Sequence, residues 1–261
     1  MKNIFKKTSS VLLLFLMLFS LFAFLASAEQ SYSWYIKRNG HQRPQFPREA
    51  EFVSAHNGYY IDERKCDSDI DKVIYITFDA GYENGNVERI LDAMKEEGVS
   101  AAFFLLDNII LKNTDLVKRM ADEGHLVCNH TKKHRDLSCA SEEEIAKDLY
   151  ALEKIYEEKT GREMAKYFRF PEGRYSESAM VAVEKLGYKT VFWSFGYDDW
   201  DNGRQPNEAR AIKKILDNTH NGAVMLFHPT SKTNANIFPE LIRAWKEMGY
   251  RFGTLDELTE I

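Results

Sequence analysis

From Val73 onward the chain alternates between short apolar runs and stretches whose apolar residues recur at helical spacing. Val73-Ile74-Tyr75-Ile76-Thr77-Phe78 is β-branched or aromatic throughout and predicts a buried strand. Val87, Ile90, Leu91 and Met94 form one stripe, predicting a helix over 87–97 that Gly98 closes. The same reading places strands at 101–106, 126–128, 167–169, 190–195, 223–227 and 250–255. Further helices fall at 116–123, from a capping box at Ser141-Glu142-Glu143-Glu144 to near Gly161, and at 178–186, 208–218 and 241–248. Alternation repeated about seven times with short connections predicts a parallel sheet covered by helices, either doubly wound or closed into a barrel. Residues 29–70 lack this rhythm, broken by Gly40, Pro44 and Pro47. They are expected to form an N-terminal arm packed on the domain built by residues 71–261.

The start of the chain sets a compartment. Lys2, Lys6 and Lys7 precede an almost wholly apolar stretch from Val11 to Leu25, and Ala26-Ser27-Ala28 supplies a small-residue cleavage site. This is the layout of a secretory leader over residues 1–28, and it implies a secreted, extracytoplasmic protein. An uncleaved anchor is the alternative, but a spanning helix takes roughly 20 apolar residues and this run is shorter. No stable membrane span is expected after cleavage. The 35 basic residues, three of them in the leader, are outnumbered by 40 acidic ones. Such a chain lacks the basic footprint of a nucleic-acid surface. No glycine-rich phosphate-binding motif follows any strand, so nucleotide binding has no support either. Cys66, Cys128 and Cys139 are odd in number and irregularly spaced. One pair is compatible with export, but three ordinary thiols is the simpler reading.

Candidate chemistry collects at the carboxyl ends of the expected strands, where a parallel barrel carries its site. Asp79 ends the first strand, followed at once by Ala80-Gly81. N-H-T-K-K-H after the third brings His130 and His134, four apart, a spacing at which two imidazoles can share one cation. Arg169 ends the fourth, Asp198-Asp199-Trp200 follows the fifth, and His228 ends the sixth. Each has a plain alternative: Asp79 as a turn residue, His130 and His134 as capping or surface histidines, Arg169 as a partner for any acid, Asp198-Asp199 as a solvated turn, His228 as a satisfied core histidine. Together those alternatives require five coincidences at one end of one sheet.

At these residues the sequence resembles the polysaccharide deacetylases, the carbohydrate esterases with the NodB homology domain. Thr77-Phe78-Asp79-Ala80-Gly81 is similar to T-F-D-D-G, and His130-Thr131-Lys132-Lys133-His134 to H-[ST]-x-x-H. Arg169-Phe170-Pro171-Glu172-Gly173 is similar to R-x-P-x-G, Asp199-Trp200 to D-W, and Leu226-Phe227-His228 to L-x-H. Within that family the likeness is closest to the muramic δ-lactam-forming de-N-acetylases of spore cortex peptidoglycan. It is carried by Trp34-Tyr35-Ile36-Lys37-Arg38, F-D-A-G-Y-E-N-G and L-V-K-R-M-A-D-E-G-H-L-V-C-N-H.

The resemblance implies an α/β fold, a distorted (β/α) barrel of about seven parallel strands. It implies hydrolysis of an acetamido group, with Asp79 as general base, Arg169 holding it, His228 as general acid and Asp199 orienting His228. It further implies a divalent cation, zinc or another transition metal, on His130 and His134. The second acid of the first motif, a metal ligand in the wider family, is Ala80 here, so weak binding is expected. Tyr82, Phe170 and Trp200 are the expected sugar-stacking faces. Peptidoglycan glycan strands are the implied substrate, with an upstream muramoyl-L-alanine amidase freeing the lactyl carboxyl. The rivals are a deacetylase of N-acetylglucosamine in peptidoglycan or chitin, and a wall-binding pseudoenzyme that lost its metal with Ala80.

Overall fold

A computed structural model of the protein describes residues 30–260; the expected leader lies outside the described residues. Before the main sheet come β1 (Tyr32–Ser33), β2 (Lys37–Asn39), β3 (Gln42–Gln45), α1 (Ala50–Ala55) and β4 (Gly58–Tyr59). The alternating part runs β5 (Lys72–Ala80), α2 (Asn86–Glu97), β6 (Ala102–Leu105), α3 (Asp107–Lys112), α4 (Thr114–Asp122) and β7 (Leu126–Asn129). It continues with α5 (Glu142–Thr160), β8 (Ala165–Phe168), β9 (Arg174–Tyr175), α6 (Glu177–Lys185) and β10 (Lys189–Val191). Last are α7 (Glu208–Asp217), β11 (Ala223–Phe227), α8 (Lys232–Glu247), β12 (Tyr250–Phe252) and α9 (Leu255–Thr259). No helix among the described residues is long and apolar enough to cross a membrane.

The main sheet has the order β11-β5-β6-β7-β8-β10-β4, with β12 also against β5, and every ladder is parallel. It closes because Phe195, just past β10, bridges to Met225 of β11, with Leu226 N–H donating to the Phe195 carbonyl at 2.8 Å. The result is the distorted (β/α) barrel of the NodB type. The strand period sorts β5 into two layers. Ile74, Ile76, Phe78 and Ala80 pack outward with Val87, Ile90 and Leu91 of α2 and Leu241 and Trp245 of α8. Val73 and Tyr75 fill the interior with Phe104, Cys128, Tyr167 and Val224. Thr77 and Asp79 share that inward parity, so the apolar interior gives way to polar groups at one end. All three cysteines are free thiols.

Four elements depart from the sequence expectation. Helix α3 lies in a stretch the pattern leaves unassigned. Helix α8 starts at Lys232 rather than 241, with Pro239 inside it; Ser231 caps it by accepting the Asn234 N–H at 3.1 Å, and burial of Ile237 and Phe238 outweighs the lost backbone bond. Strand β10 ends at Val191, where the chain swings toward β11. The last strand stops at Phe252, and Leu255 begins α9.

Residues expected as an arm supply a strand of the sheet itself, since β4 pairs with β10. Trp34 fastens the segment ahead of it: its ring stacks on Phe192 (4.6 Å between centroids, 18°) and its indole N–H donates to the Trp193 carbonyl at 2.9 Å. Strand β1 pairs antiparallel with β9.

Candidate active site

Asp79 and His228 follow residues paired in register on neighbouring strands, Phe78 of β5 and Phe227 of β11. Around them the barrel end carries two polar assemblies.

The first centres on Asp79. Its Oδ1 accepts from Arg169 Nη1 at 2.8 Å, and its Oδ2 lies 3.5 Å from His130 Nε2. Arg169 is fully buried. Its Nη2 donates to Thr77 Oγ1 (2.8 Å) and the Phe192 carbonyl (3.3 Å), and its Nε to the Val191 carbonyl (2.9 Å). The guanidinium carbon stands 4.2 Å from the Phe104 ring centroid, a desolvated cation–π contact on the last ring of the apolar interior. Burial pushes the Asp79 carboxyl up, but the positive charge of Arg169 above all outweighs it and holds the carboxyl below its ordinary value.

His130 is buried, and burial lowers its pKa to about 4, so the ring is neutral near pH 7. Its Nδ1 lies 2.9 Å from the Arg169 carbonyl, which can only accept. Nδ1 therefore carries the proton, and Nε2 turns a lone pair toward Asp79. His134 is exposed, with its ring edge-on to His130 at 5.1 Å and 75°.

The second assembly centres on His228. Asp199 is fully buried; its Oδ1 accepts from His228 Nδ1 at 2.8 Å, and its Oδ2 accepts the His228 N–H at 2.8 Å and Asn234 Nδ2 at 2.6 Å. The Asn234 amide is oriented by the Tyr197 hydroxyl, which donates to its Oδ1. Burial disfavours the imidazolium, but Asp199, then Asp79, reverse that and raise the His228 pKa. A carboxyl shifted toward its ionised form thus stands one strand over from an imidazole shifted toward its protonated form, the pairing needed to take a proton from water and give one to a leaving group.

Comparison with known proteins bears on what this arrangement does. The polysaccharide deacetylase family model matches residues 67–191. The chain is 33% identical over 228 residues to the peptidoglycan-N-acetylmuramic acid deacetylase PdaA of Bacillus subtilis, covering 87% of this chain and 85% of that protein. It is 32% identical over 197 residues to a peptidoglycan-N-acetylglucosamine deacetylase of Bacillus cereus, covering 72% and 88%. The solved structure of Bacillus subtilis PdaA, a family 4 carbohydrate esterase, superposes with a TM-score of 0.82 at 32% identity, over 88% of this chain and 97% of that one. The chain belongs to the polysaccharide deacetylase family.

Polysaccharide deacetylases are hydrolases acting on N-acetyl amide bonds and generally depend on a metal ion. The donor set here fits one in part. Nε2 of His130 and Oδ2 of Asp79 are acceptors facing each other with no proton between them, an arrangement a nearby cation relieves, and the ring of His134 lies alongside. Among the described residues, however, no group of three or more His, Cys, Asp or Glu side chains is spaced to hold a metal. Ala80, which follows Asp79 directly and offers no donor, is 1% exposed in the outer apolar layer.

Among the aromatics of this polysaccharide deacetylase, Trp200 (60% exposed) and Tyr82 (43%) present open faces, and Asn202 Nδ2 donates to the Tyr82 hydroxyl. Phe170 does not. It is fully buried, edge-on to Phe168 at 4.7 Å and stacked on Phe192 at 6.2 Å. The expectation that it stacks on sugar is corrected: the peptide after Arg169 turns its ring into the core. Asp198 is exposed while Asp199, the acid that the D-W likeness singles out, is buried. The sequence reading missed Thr77 and Asn234. Ser231-x-x-Asn234, a helix cap directly after His228-Pro229-Thr230, is the one signal that could have found the second.

Proposed function

We propose that the protein removes the acetyl group of N-acetylmuramic acid in peptidoglycan, outside the cytoplasm, and so supports muramic δ-lactam formation in spore cortex. The observation that carries the chemistry is the juxtaposition of Asp79 and His228 at neighbouring strand ends, one shifted toward its ionised form and the other toward its protonated form. The muramic reading is supported by the likeness to the B. subtilis N-acetylmuramic acid deacetylase, which spans more of this chain than the likeness to the N-acetylglucosamine enzyme.

His130 and His134 would hold a divalent cation, zinc or another transition metal, which when bound would polarise the acetyl carbonyl and acidify water. Asp79 takes the proton of the attacking water through Oδ2, the oxygen Arg169 leaves free. His228, held by Asp199 through Nδ1, delivers the Nε2 proton to the departing sugar nitrogen. Trp200 and Tyr82 flank the approach as sugar-stacking faces. The products are acetate and a free amine. On muramic acid that amine lies close to the lactyl carboxyl, and closure with loss of one water gives a six-membered lactam in an effectively intramolecular step. The carboxyl must first be free of its peptide stem, which assigns a muramoyl-L-alanine amidase to the preceding step.

Acetate release from amidase-treated peptidoglycan, with products resolved by mass spectrometry, tests this reading. Deacetylated muramic residues are expected, and a deletion strain should lack δ-lactam in its cortex. Deacetylation confined to N-acetylglucosamine rejects the muramic substrate while keeping the chemistry. No acetate release with any divalent ion supplied rejects the enzyme reading in favour of a wall-binding role.

A further inference from the structure

The turn that joins His130 to His134 adopts a conformation its sequence disfavours. Thr131 (φ +69°) and His134 (φ +57°) both lie in the left-handed region, where a β-branched residue is a genuine outlier. Strain of this kind persists only where the surroundings over-determine it, and three side chains do so here. Asn129 Oδ1 accepts the Thr131 N–H at 2.9 Å, while its Nδ2 donates to the Leu149 carbonyl and the Tyr188 hydroxyl, both at 3.1 Å. Asp148, on α5, accepts the Lys132 N–H at 2.7 Å. From the opposite side the Asp107 N–H donates to the Lys132 carbonyl at 3.1 Å, and the Asp107 carboxylate pairs with Lys133 Nζ at 3.0 Å.

The two imidazoles depend on this clamp to different degrees. His130 is buried and fixed through Nδ1 by the Arg169 carbonyl. His134 is exposed, and among the described residues no side-chain hydrogen bond orients its ring. Its aim is set by the backbone of the turn. We propose that Asp148 is a positioning residue for the His130–His134 cation pair: by holding the Lys132 N–H it fixes the turn that brings the second imidazole beside the first. The inference rests on the reading of that pair as cation ligands. Groups one step removed from a metal commonly act this way, by restricting where a ligand can point.

Calorimetric titration of the purified protein with zinc ion alone separates the possibilities, because it reads binding rather than turnover. Asp148→Ala is expected to weaken zinc binding about tenfold to a hundredfold. Asp148→Asn keeps an oxygen that accepts the same N–H and is expected to bind as the unaltered protein does. Circular dichroism and melting curves establish that each variant is folded. Unchanged affinity in folded Asp148→Ala overturns the proposal. So does an Asp148→Asn variant with weakened binding, since charge rather than the held N–H would then be the cause; this second comparison decides the matter even where Asp148→Ala fails to fold. Absence of zinc binding by the unaltered protein is a distinct outcome, which overturns the cation reading and the proposal with it.

Discussion

Nη1 of Arg169 donates to Oδ1 of Asp79 at 2.8 Å, on a guanidinium that is entirely removed from solvent. Three further donor hydrogens of the Arg169 head are spent on Thr77 and on the carbonyls of Val191 and Phe192. The arginine is therefore a fixture of the barrel interior, and the carboxylate is aimed by it. One oxygen of Asp79 is immobilised while the other looks toward His130 and the mouth of the barrel.

If Asp79 and His228 move the protons, Asp79→Asn and His228→Ala each lower acetate release by ~10² to 10⁴ without unfolding the chain. Acetate assays on variants with unaltered circular dichroism check this. Near-normal turnover in either would remove that residue from the mechanism.

Stability should fall as the solution is acidified from neutrality. Burial lowers the pKa of His125 and of His220 to about 4, below the ordinary value of 6.5. In the unfolded chain both take up a proton near pH 6.5, while the folded protein refuses it until about pH 4. Their contribution is therefore present above pH 6.5 and lost progressively down to about 4, at about 1.4 kcal/mol for each unit of depression. Melting temperatures recorded across this interval give the slope; a flat profile contradicts the burial of these rings.

Ala80→Asp is expected to tighten divalent-ion binding by restoring a carboxylate ligand. The same change places an acid at a site only 1% exposed, beside Phe78 and Val87, so the metal-free variant should melt below the unaltered protein. Calorimetry and melting curves with and without chelator read the two effects separately. Unchanged affinity would show that residue 80 does not reach the cation.

Phe170→Ala and Trp200→Ala should separate core from surface. The first empties a fully buried site and is expected to cost about 3–5 kcal/mol of stability. The second, at an exposed ring, should leave the melting temperature nearly unchanged and raise KM for glycan. Equal effects of the two on KM would restore Phe170 to the binding surface.

Much of this site is legible because parallel barrels place their chemistry at strand ends, and strand ends can be read from where apolar runs stop. Asp79, Arg169 and His228 were found in that way, and all three converge in space. Phe170 was misread because its neighbours in sequence belong to the site. Which way a side chain turns after a strand is decided by the peptide that follows, and Pro171-Glu172-Gly173 bends it inward. Helix α8 was read too short because Pro239 looks like a stop when its packing partners are unseen.

By itself the sequence determined the alternation of strands and helices, the order of the five motifs and the alanine that follows Asp79, since each depends only on residue type and local spacing. Tertiary structure alone decided how both oxygens of Asp199 are spent on His228 and Asn234, that Thr77 completes the other assembly, and that the Arg169 carbonyl sets the tautomer of His130. Those facts rest on contacts between residues 29 to 92 positions apart. Only the closed barrel brings such groups within hydrogen-bond range, and only burial there makes their charges strong enough to move one another's protons.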